Sequence, residues 1–231
     1  MVIEEASEQI VSACRKMWQQ GWVASNDGNV SARLDDGSFL TTPTGVSKGE
    51  ITRDMLLRVD LAGNLLEGKD GYRPTSEFKM HARCYEKRPD IAAVVHSHAP
   101  CSTAFAVAHK SMDMYNMIGA VCSMGAVPLT PFGTPSTAEV PDAIEPFLEE
   151  HDALLLESHG VLTLGGDVMR AYYRMESLEL WAKTTINAVI LGGSRDISRG
   201  NIEKLLNLRS FYGITGRHPG YVKYDNGLKS E

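Results

Sequence analysis

Two histidines one residue apart, His96 and His98, close an apolar run that begins at Ile91. Strand residues two apart project to the same face, so both imidazoles point the same way where the chain leaves its core. Adjacent imidazoles repel when both are protonated, and sharing a divalent cation removes that conflict. Taken alone, a His-x-His pair reads more readily as two hydrogen-bonded histidines at a strand end. A third histidine changes the balance. His159 follows the apolar stretch Ala153–Leu156 and precedes Gly160, whose missing side chain permits close approach by other groups. Three neutral imidazoles suit Zn²⁺, at Zn–N distances of about 2.0–2.1 Å, with a coordination position left for substrate. His81, His109, His151 and His218 lack such a context and read as surface histidines or as histidines satisfied within helices.

Glu77 is placed by the pattern at the first turn of a helix. The helix dipole favours a carboxylate there, so helix-end electrostatics is one reading. The other is a carboxylate that caps a metal in the absence of substrate and serves as general base once substrate displaces it. Spacing does not separate the two. Three short clusters, Gly28-Asn29-Val30-Ser31, Thr42-Pro43-Thr44-Gly45 and Thr75-Ser76, combine glycine with small hydroxyl or amide side chains. Such loops present backbone N–H groups and hydroxyls to a phosphate, and Ser76 at a helix N-terminus adds its dipole. Each cluster by itself reads as a turn. Together they would let an acidic chain hold an anionic sugar phosphate without a basic patch.

The elements that must position these groups follow from periodicity. Residues 3–20 place Ile3, Ala6, Ile10, Ala13, Cys14 and Met17 on one helical stripe, with Gly21 as its C-terminal cap. Short strands at 29–34 and 38–42 are joined by Asp36-Gly37, a hairpin signal, and a second hairpin turns at Gly63-Asn64. Ser76 reads as the N-cap of a helix to about residue 87, with Phe78, Ala82 and Tyr85 inward and Pro89 as its stop. A buried strand covers 91–98 and a helix 102–108. Extended pieces at 114–118 and 127–129 precede a helix over 138–150. Strands at 153–157 and 161–164 flank Ser158-His159-Gly160. Asp167 caps a long helix to about residue 191, and a last helix covers 202–211. Helices interleaved with short strands and hairpins predict an α/β class, a mixed sheet covered by helices on both faces.

The chain has 231 residues, with 23 Lys plus Arg against 29 Asp plus Glu, a net charge of −6. That length, without repeats or Pro/Ser-rich linkers, predicts a single domain over 1–231 with a polar tail at 215–231. Apolar residues at 43% and charged residues at 23% exclude disorder for its bulk. No apolar run approaches the ~18 residues that cross a bilayer, and the acidic start lacks the features of a signal peptide. Mild acidity counts against nucleic acid as a partner. Cys14, Cys84, Cys101 and Cys122 are scattered singly and read as the reduced thiols of a cytoplasmic protein.

Taken together, Gly28-Asn29-Val30-Ser31, Thr42-Pro43-Thr44-Gly45, Thr75-Ser76-Glu77, His96-Ser97-His98 and Ser158-His159-Gly160 resemble the class II (zinc-dependent) aldolase/adducin-head family, in the family's own order. The likeness is nearest to its L-fuculose-phosphate aldolase branch. It implies a three-layer α/β/α fold with a mixed, largely antiparallel sheet, and a homotetramer with active sites at subunit interfaces. By the same resemblance Glu77, His96, His98 and His159 hold one Zn²⁺ per subunit, and Glu77 also acts as the base. Asn29, Thr44, Gly45, Thr75 and Ser76 hold the substrate phosphate. The implied reaction cleaves a ketose 1-phosphate to dihydroxyacetone phosphate and a small aldehyde such as L-lactaldehyde. No lysine sits in a context suggesting a Schiff base, so a Lewis-acid metal would be the electron sink.

Two positions complicate the match. The family's aldolases use a tyrosine from a neighbouring subunit directly before a Met-Ile pair, whereas here Asn116 precedes Met117-Ile118 and the tyrosine is Tyr115. Either Tyr115 serves across a one-residue gap, or Asn116 occupies that place; as an isolated residue Tyr115 reads as a half-buried aromatic. Tyr212 matches a second, C-terminal tyrosine near the aldolase site. Relatives on this scaffold include 4-epimerases, which carry Asp where this chain has Glu77, methylthioribulose-phosphate dehydratases, sugar-acid-phosphate decarboxylases and the non-enzymatic adducin heads. Glu77 favours an aldolase over an epimerase, and three candidate zinc histidines argue against a scaffold protein.

Overall fold

Alternate residues of the central strands belong to different cores, so the sheet is covered on both faces. In β5 (Ala93–Ser97), Ala93 and Val95 join a cluster formed with α1 (Ile3–Gln19) and α6 (Val168–Ile190), while Val94 joins one formed with α2 (Phe78–Lys87). The same alternation runs along β7 (Ala153–Leu156), where Ala153 and Leu155 face the first cluster and Leu154 and Leu156 the second. A strand apolar at every position is what two-sided cover demands. The computed structural model describes residues 1–219, so positions 220–231 of the expected tail lie outside the described residues.

The remaining elements are β1 (Asn29–Arg33), β2 (Phe39–Thr41), β3 (Leu57–Val59), β4 (Leu65–Glu67), α3 (Pro100–Val107), α4 (Ile118–Ser123), β6 (Leu129–Thr130), α5 (Glu139–Ile144), β8 (Gly160–Gly165) and α7 (Arg199–Phe211). Eight strands form one sheet in the order β4-β3-β2-β1-β5-β8-β7-β6. Every pairing is antiparallel except β6 with β7. This is the mixed, largely antiparallel α/β/α architecture that the sequence predicts. Among the described residues no helix is long and apolar enough to cross a membrane.

Local signals account for most boundaries. Gly21 takes φ +71° just beyond α1, and the Asp167 carboxylate accepts the Arg170 N–H at 2.7 Å to start α6. Three segments differ from expectation. The helix expected over 138–150 ends at Ile144 and tightens into a 3₁₀ turn, Glu145–Phe147, because Pro146 has no N–H to continue the ladder. Residues 114–117 form no strand, and Ile118 opens α4 instead, a short apolar run whose period does not decide its class. The N-terminal position of α2 is taken by Glu77, not Ser76: the Thr75 hydroxyl accepts the Glu77 N–H at 3.4 Å, and the helix starts at Phe78.

Candidate active site

β5 and β8 are paired neighbours, and the turn that leads into β8 carries His159. His96 faces the α2 side of the sheet, opposite Ser97, whose hydroxyl donates to Met175 Sδ of α6 at 3.3 Å. His98 follows the strand end and leads straight into α3. The start of α3 is fixed by buried Glu179 of α6, which accepts the Cys101 and Ser102 N–H groups, each at 2.8 Å. His159 follows Ser158, which holds φ +55°, a strained conformation of the kind found where a side chain must be aimed. A Cβ on Gly160 would lie 2.8 Å from His98 Cδ2 and 2.5 Å from the Ser97 carbonyl oxygen. Only glycine lets β8 begin against the two histidines.

The three rings converge, with centroids 4.7 Å apart for His96 and His159, 5.1 Å for His96 and His98, and 5.2 Å for His98 and His159. One ring nitrogen from each lies within 4.8 Å of the others. On two of the rings the opposite nitrogen is engaged: His96 Nδ1 donates to the Val161 carbonyl at 2.9 Å, and His98 Nδ1 donates to Asp27 Oδ2 at 3.2 Å, while His159 Nδ1 is buried without a hydrogen-bond partner. These bonds fix the tautomers and turn both Nε2 lone pairs inward. Glu77 closes the set, with Oε2 3.5 Å from His96 Nε2 and Oε1 3.4 Å from His159 Nε2. Glu77 Oε1, His96 Nε2 and His98 Nε2 are buried without a hydrogen-bond partner. Burial, reinforced by the neighbouring rings, holds His96 well below the usual imidazole range. Burial lowers His159 as well, and His98 adds to that while Glu77 opposes it. Three imidazoles converging beside a carboxylate are a donor set suited to a divalent cation of zinc's chemistry.

A cavity of about 230 Å³ opens over this cluster and is lined by Asn29, Thr44, Thr75, Ser76, Glu77, His98 and His159, among others. The loops that carry Thr44 and Thr75–Ser76 are clasped by a Pro43–Pro74 bridge, in which the Thr44 N–H donates to the Arg73 carbonyl at 2.9 Å and the Thr75 N–H to the Thr42 carbonyl at 3.2 Å. Gly45 follows Thr44 at φ +76° with open space around it. Lys48 is buried, and its ammonium is spent on the Asn26 and Val46 carbonyls at 2.9 and 2.8 Å; it braces the 26–29 loop.

The structure separates the two tyrosine candidates from this cavity. Tyr115 is fully buried in a small cluster with Val121 and Ile202 and does not line it. Tyr212 stands exposed at the end of α7 beside Phe211. Asn29 is buried, and its side chain is engaged with Glu77 and His81. Sequence reasoning missed Asp27 and the pair Pro135-Ser136, which line the cavity, whereas His81 is a histidine satisfied within a helix, one of the two readings the sequence gives it. Periodicity held a signal for His81, three residues after Phe78 and four before Tyr85 on the inward stripe of α2.

Residues 8–186 match the Class II Aldolase and Adducin N-terminal domain family. The chain belongs to this family. An L-fuculose phosphate aldolase of Methanocaldococcus jannaschii is 34% identical over 181 residues, 78% of this chain and 94% of that one. A 5-methylthioribulose-1-phosphate/5-deoxyribulose-1-phosphate aldolase of Escherichia coli O45:K1 is 36% identical over 158 residues, covering 68% of this chain and 72% of its own. The crystal structure of L-fuculose-1-phosphate aldolase from Thermus thermophilus superposes with a TM-score of 0.72 at 26% identity, over 81% of this chain and 96% of that one. This member of the class II aldolase family thus carries the three histidines and the carboxylate on the family's fold.

Proposed function

We propose that the chain is a zinc-dependent aldolase that reversibly cleaves a ketose 1-phosphate, of the L-fuculose 1-phosphate type, to dihydroxyacetone phosphate and a small aldehyde. The observation that carries this reading is the convergence of His96, His98, His159 and Glu77, with inward atoms left unpaired beneath a cavity. Those four side chains would hold the ion. When bound, it would supply Lewis-acid polarisation of the ketone and its neighbouring hydroxyl.

The chain's own residues supply the rest. Thr44, Gly45, Thr75 and Ser76, held on two clasped loops, would bind the phosphate together with Asn29, which lines the same cavity. As the bond between carbons 3 and 4 breaks, the carbon 4 hydroxyl gives its proton to water, the aldehyde departs and the electron pair stays on carbon 3, while Glu77 takes up a proton from water in exchange. Glu77 would then deliver a proton to that carbon, and in the condensation direction remove it.

The reaction serves a homotetramer in this reading. Val189, Ile190 and Leu191 at the end of α6 and Phe211 at the end of α7 are exposed, an apolar margin of the kind that subunits cover. A cytoplasmic location accords with four free cysteines.

The deciding experiment is a screen of ketose 1-phosphates and 5-phosphates for release of dihydroxyacetone phosphate, with and without chelator. Release from L-fuculose 1-phosphate that chelator abolishes is the expected result. Similarity to the Escherichia coli O45:K1 relative favours a second substrate, 5-methylthioribulose 1-phosphate, which the same screen reads out. No release from any of them would overturn the proposal.

A further inference from the structure

Glu77, His81 and Tyr85 are spaced by four on and just before α2, and they face Asn29, Ser31 and Arg33, spaced by two along β1. Four helical residues rise about 6.0 Å and two strand residues about 6.6 Å, so the two rows stay in step across the interface. They meet in one chain of hydrogen bonds. Asn29 Nδ2 donates to Glu77 Oε2 at 2.9 Å, and His81 Nε2 lies 2.6 Å from Asn29 Oδ1. Ser31 Oγ lies 2.7 Å from His81 Nδ1 and 2.8 Å from the Tyr85 hydroxyl, and Arg33 donates to the Tyr85 carbonyl at 2.6 Å.

The direction of each bond is forced. A carboxylate only accepts, so Asn29 gives its amide N–H to Glu77 and turns its carbonyl oxygen to His81. His81 Nε2 must therefore carry the ring proton. His81 is fully buried, and burial, followed by the nearby His96, drives it down to about 3. A neutral ring accepts at Nδ1, so the Ser31 hydroxyl donates there and its oxygen takes the Tyr85 proton. One tautomer and one amide orientation satisfy Asn29, His81, Ser31 and Tyr85 together.

We propose that His81 is a positioning residue for Glu77, acting through Asn29, with Ser31 and Tyr85 fixing its own orientation. The chain of bonds keeps one carboxylate oxygen tethered while the other, Oε1, is left unpaired toward His159. The proposal rests on the reading of Glu77 as the carboxylate that meets both metal and substrate.

The test compares His81→Phe, His81→Gln and Tyr85→Phe with Glu77→Gln, each read by thermal melting, by the visible spectrum of bound cobalt(II), and by kcat and KM. His81→Phe cannot orient Asn29, so its cobalt spectrum should move to that of Glu77→Gln. Its kcat should fall about 10- to 100-fold with KM within about twofold. Glutamine can donate to Asn29 and accept from Ser31, so His81→Gln should restore both readouts to within about threefold. Tyr85→Phe, which removes one oxygen from the far end, should lower kcat by a few-fold, and it decides the matter should His81→Phe not fold. A wild-type cobalt spectrum with wild-type kcat in His81→Phe, or equal impairment in His81→Gln, would overturn the assignment. If the wild type cleaved no ketose phosphate, the proposed function would fail while the cobalt spectra still judged the tether. If it bound no cobalt, both would fall.

Discussion

The seam between α2 and β1 and the histidine cluster beside it share one face of the sheet and use the same kinds of side chain, yet they treat their polar atoms in opposite ways. In the seam, His81, Asn29, Ser31 and Tyr85 close into a chain of hydrogen bonds. A few ångströms away, His96 Nε2, His98 Nε2 and Glu77 Oε1 are just as buried and have no hydrogen-bond partner. Each such atom costs about 1–3 kcal/mol when left unsatisfied, and a fold able to close the seam could have closed the cluster. The difference marks where a ligand belongs: a satisfied network rigidifies, and an unsatisfied one waits for an ion and a substrate.

The largest effect should come from removing a member of the open cluster. His96→Ala should lose stoichiometric metal, measured by elemental analysis of the purified protein, and with it all cleavage above background. Zinc at wild-type occupancy would remove His96 as a ligand and erase the contrast. Next is Glu77→Gln, which keeps the shape and the Asn29 contact but not the base. It should cut kcat by about 10³-fold while metal stays bound, and full activity would move the base elsewhere. Asp27 tests the border between the regions, since it pairs with His98 but lies outside the cluster. Asp27→Ala should weaken metal affinity about 10- to 100-fold, read by competition with a chelating dye.

Much of the open cluster is legible in the sequence because its logic is local. Two histidines at strand spacing and a third before a glycine announce themselves at the ends of apolar runs, and the structure brings those rings together. The closed seam is not legible, because it depends on which strand lies beside α2 and in what register. Phe78, Ala82 and Tyr85 read as inward residues, and His81 lies on that same stripe. Its meaning appears only when Asn29 and Ser31 are set opposite. Asp27 is hidden for the same reason, its partner His98 being far along the chain. The element classes can be read, whereas the ends of α2 and α5 depend on the Thr75 hydroxyl and on Pro146.

A subtler way to sharpen the contrast is pH. His81 stays neutral when folded down to about 3 but titrates near 6.5 when unfolded. Between those values the unfolded chain binds a proton that the folded chain refuses, so stability is fully present above pH 6.5 and drains away as pH falls. The slope from one such group is at most about 1.4 kcal/mol per pH unit. Melting of the metal-free protein from pH 7 to pH 5 should therefore be less steep in His81→Gln than in the wild type. Parallel curves would show that His81 carries no part of the acid sensitivity.

The smallest expected effect concerns the two tyrosines, which resemblance alone places near the reacting aldehyde. A side chain that serves a neighbouring subunit must be reachable from outside its own chain. Tyr115 has no exposed surface, whereas Tyr212 is 62% exposed and stands on the apolar margin at the end of α7. Tyr115→Phe should therefore leave kcat within about twofold, because the lost hydroxyl lies away from the cavity in a small cluster of its own. Tyr212→Phe should lower kcat several-fold with KM for the phosphate ester unchanged, because the hydroxyl would meet the aldehyde end and not the phosphate. The reverse order, a deep loss in Tyr115→Phe and none in Tyr212→Phe, would mean that the 112–117 segment opens on assembly and delivers a residue this chain keeps hidden.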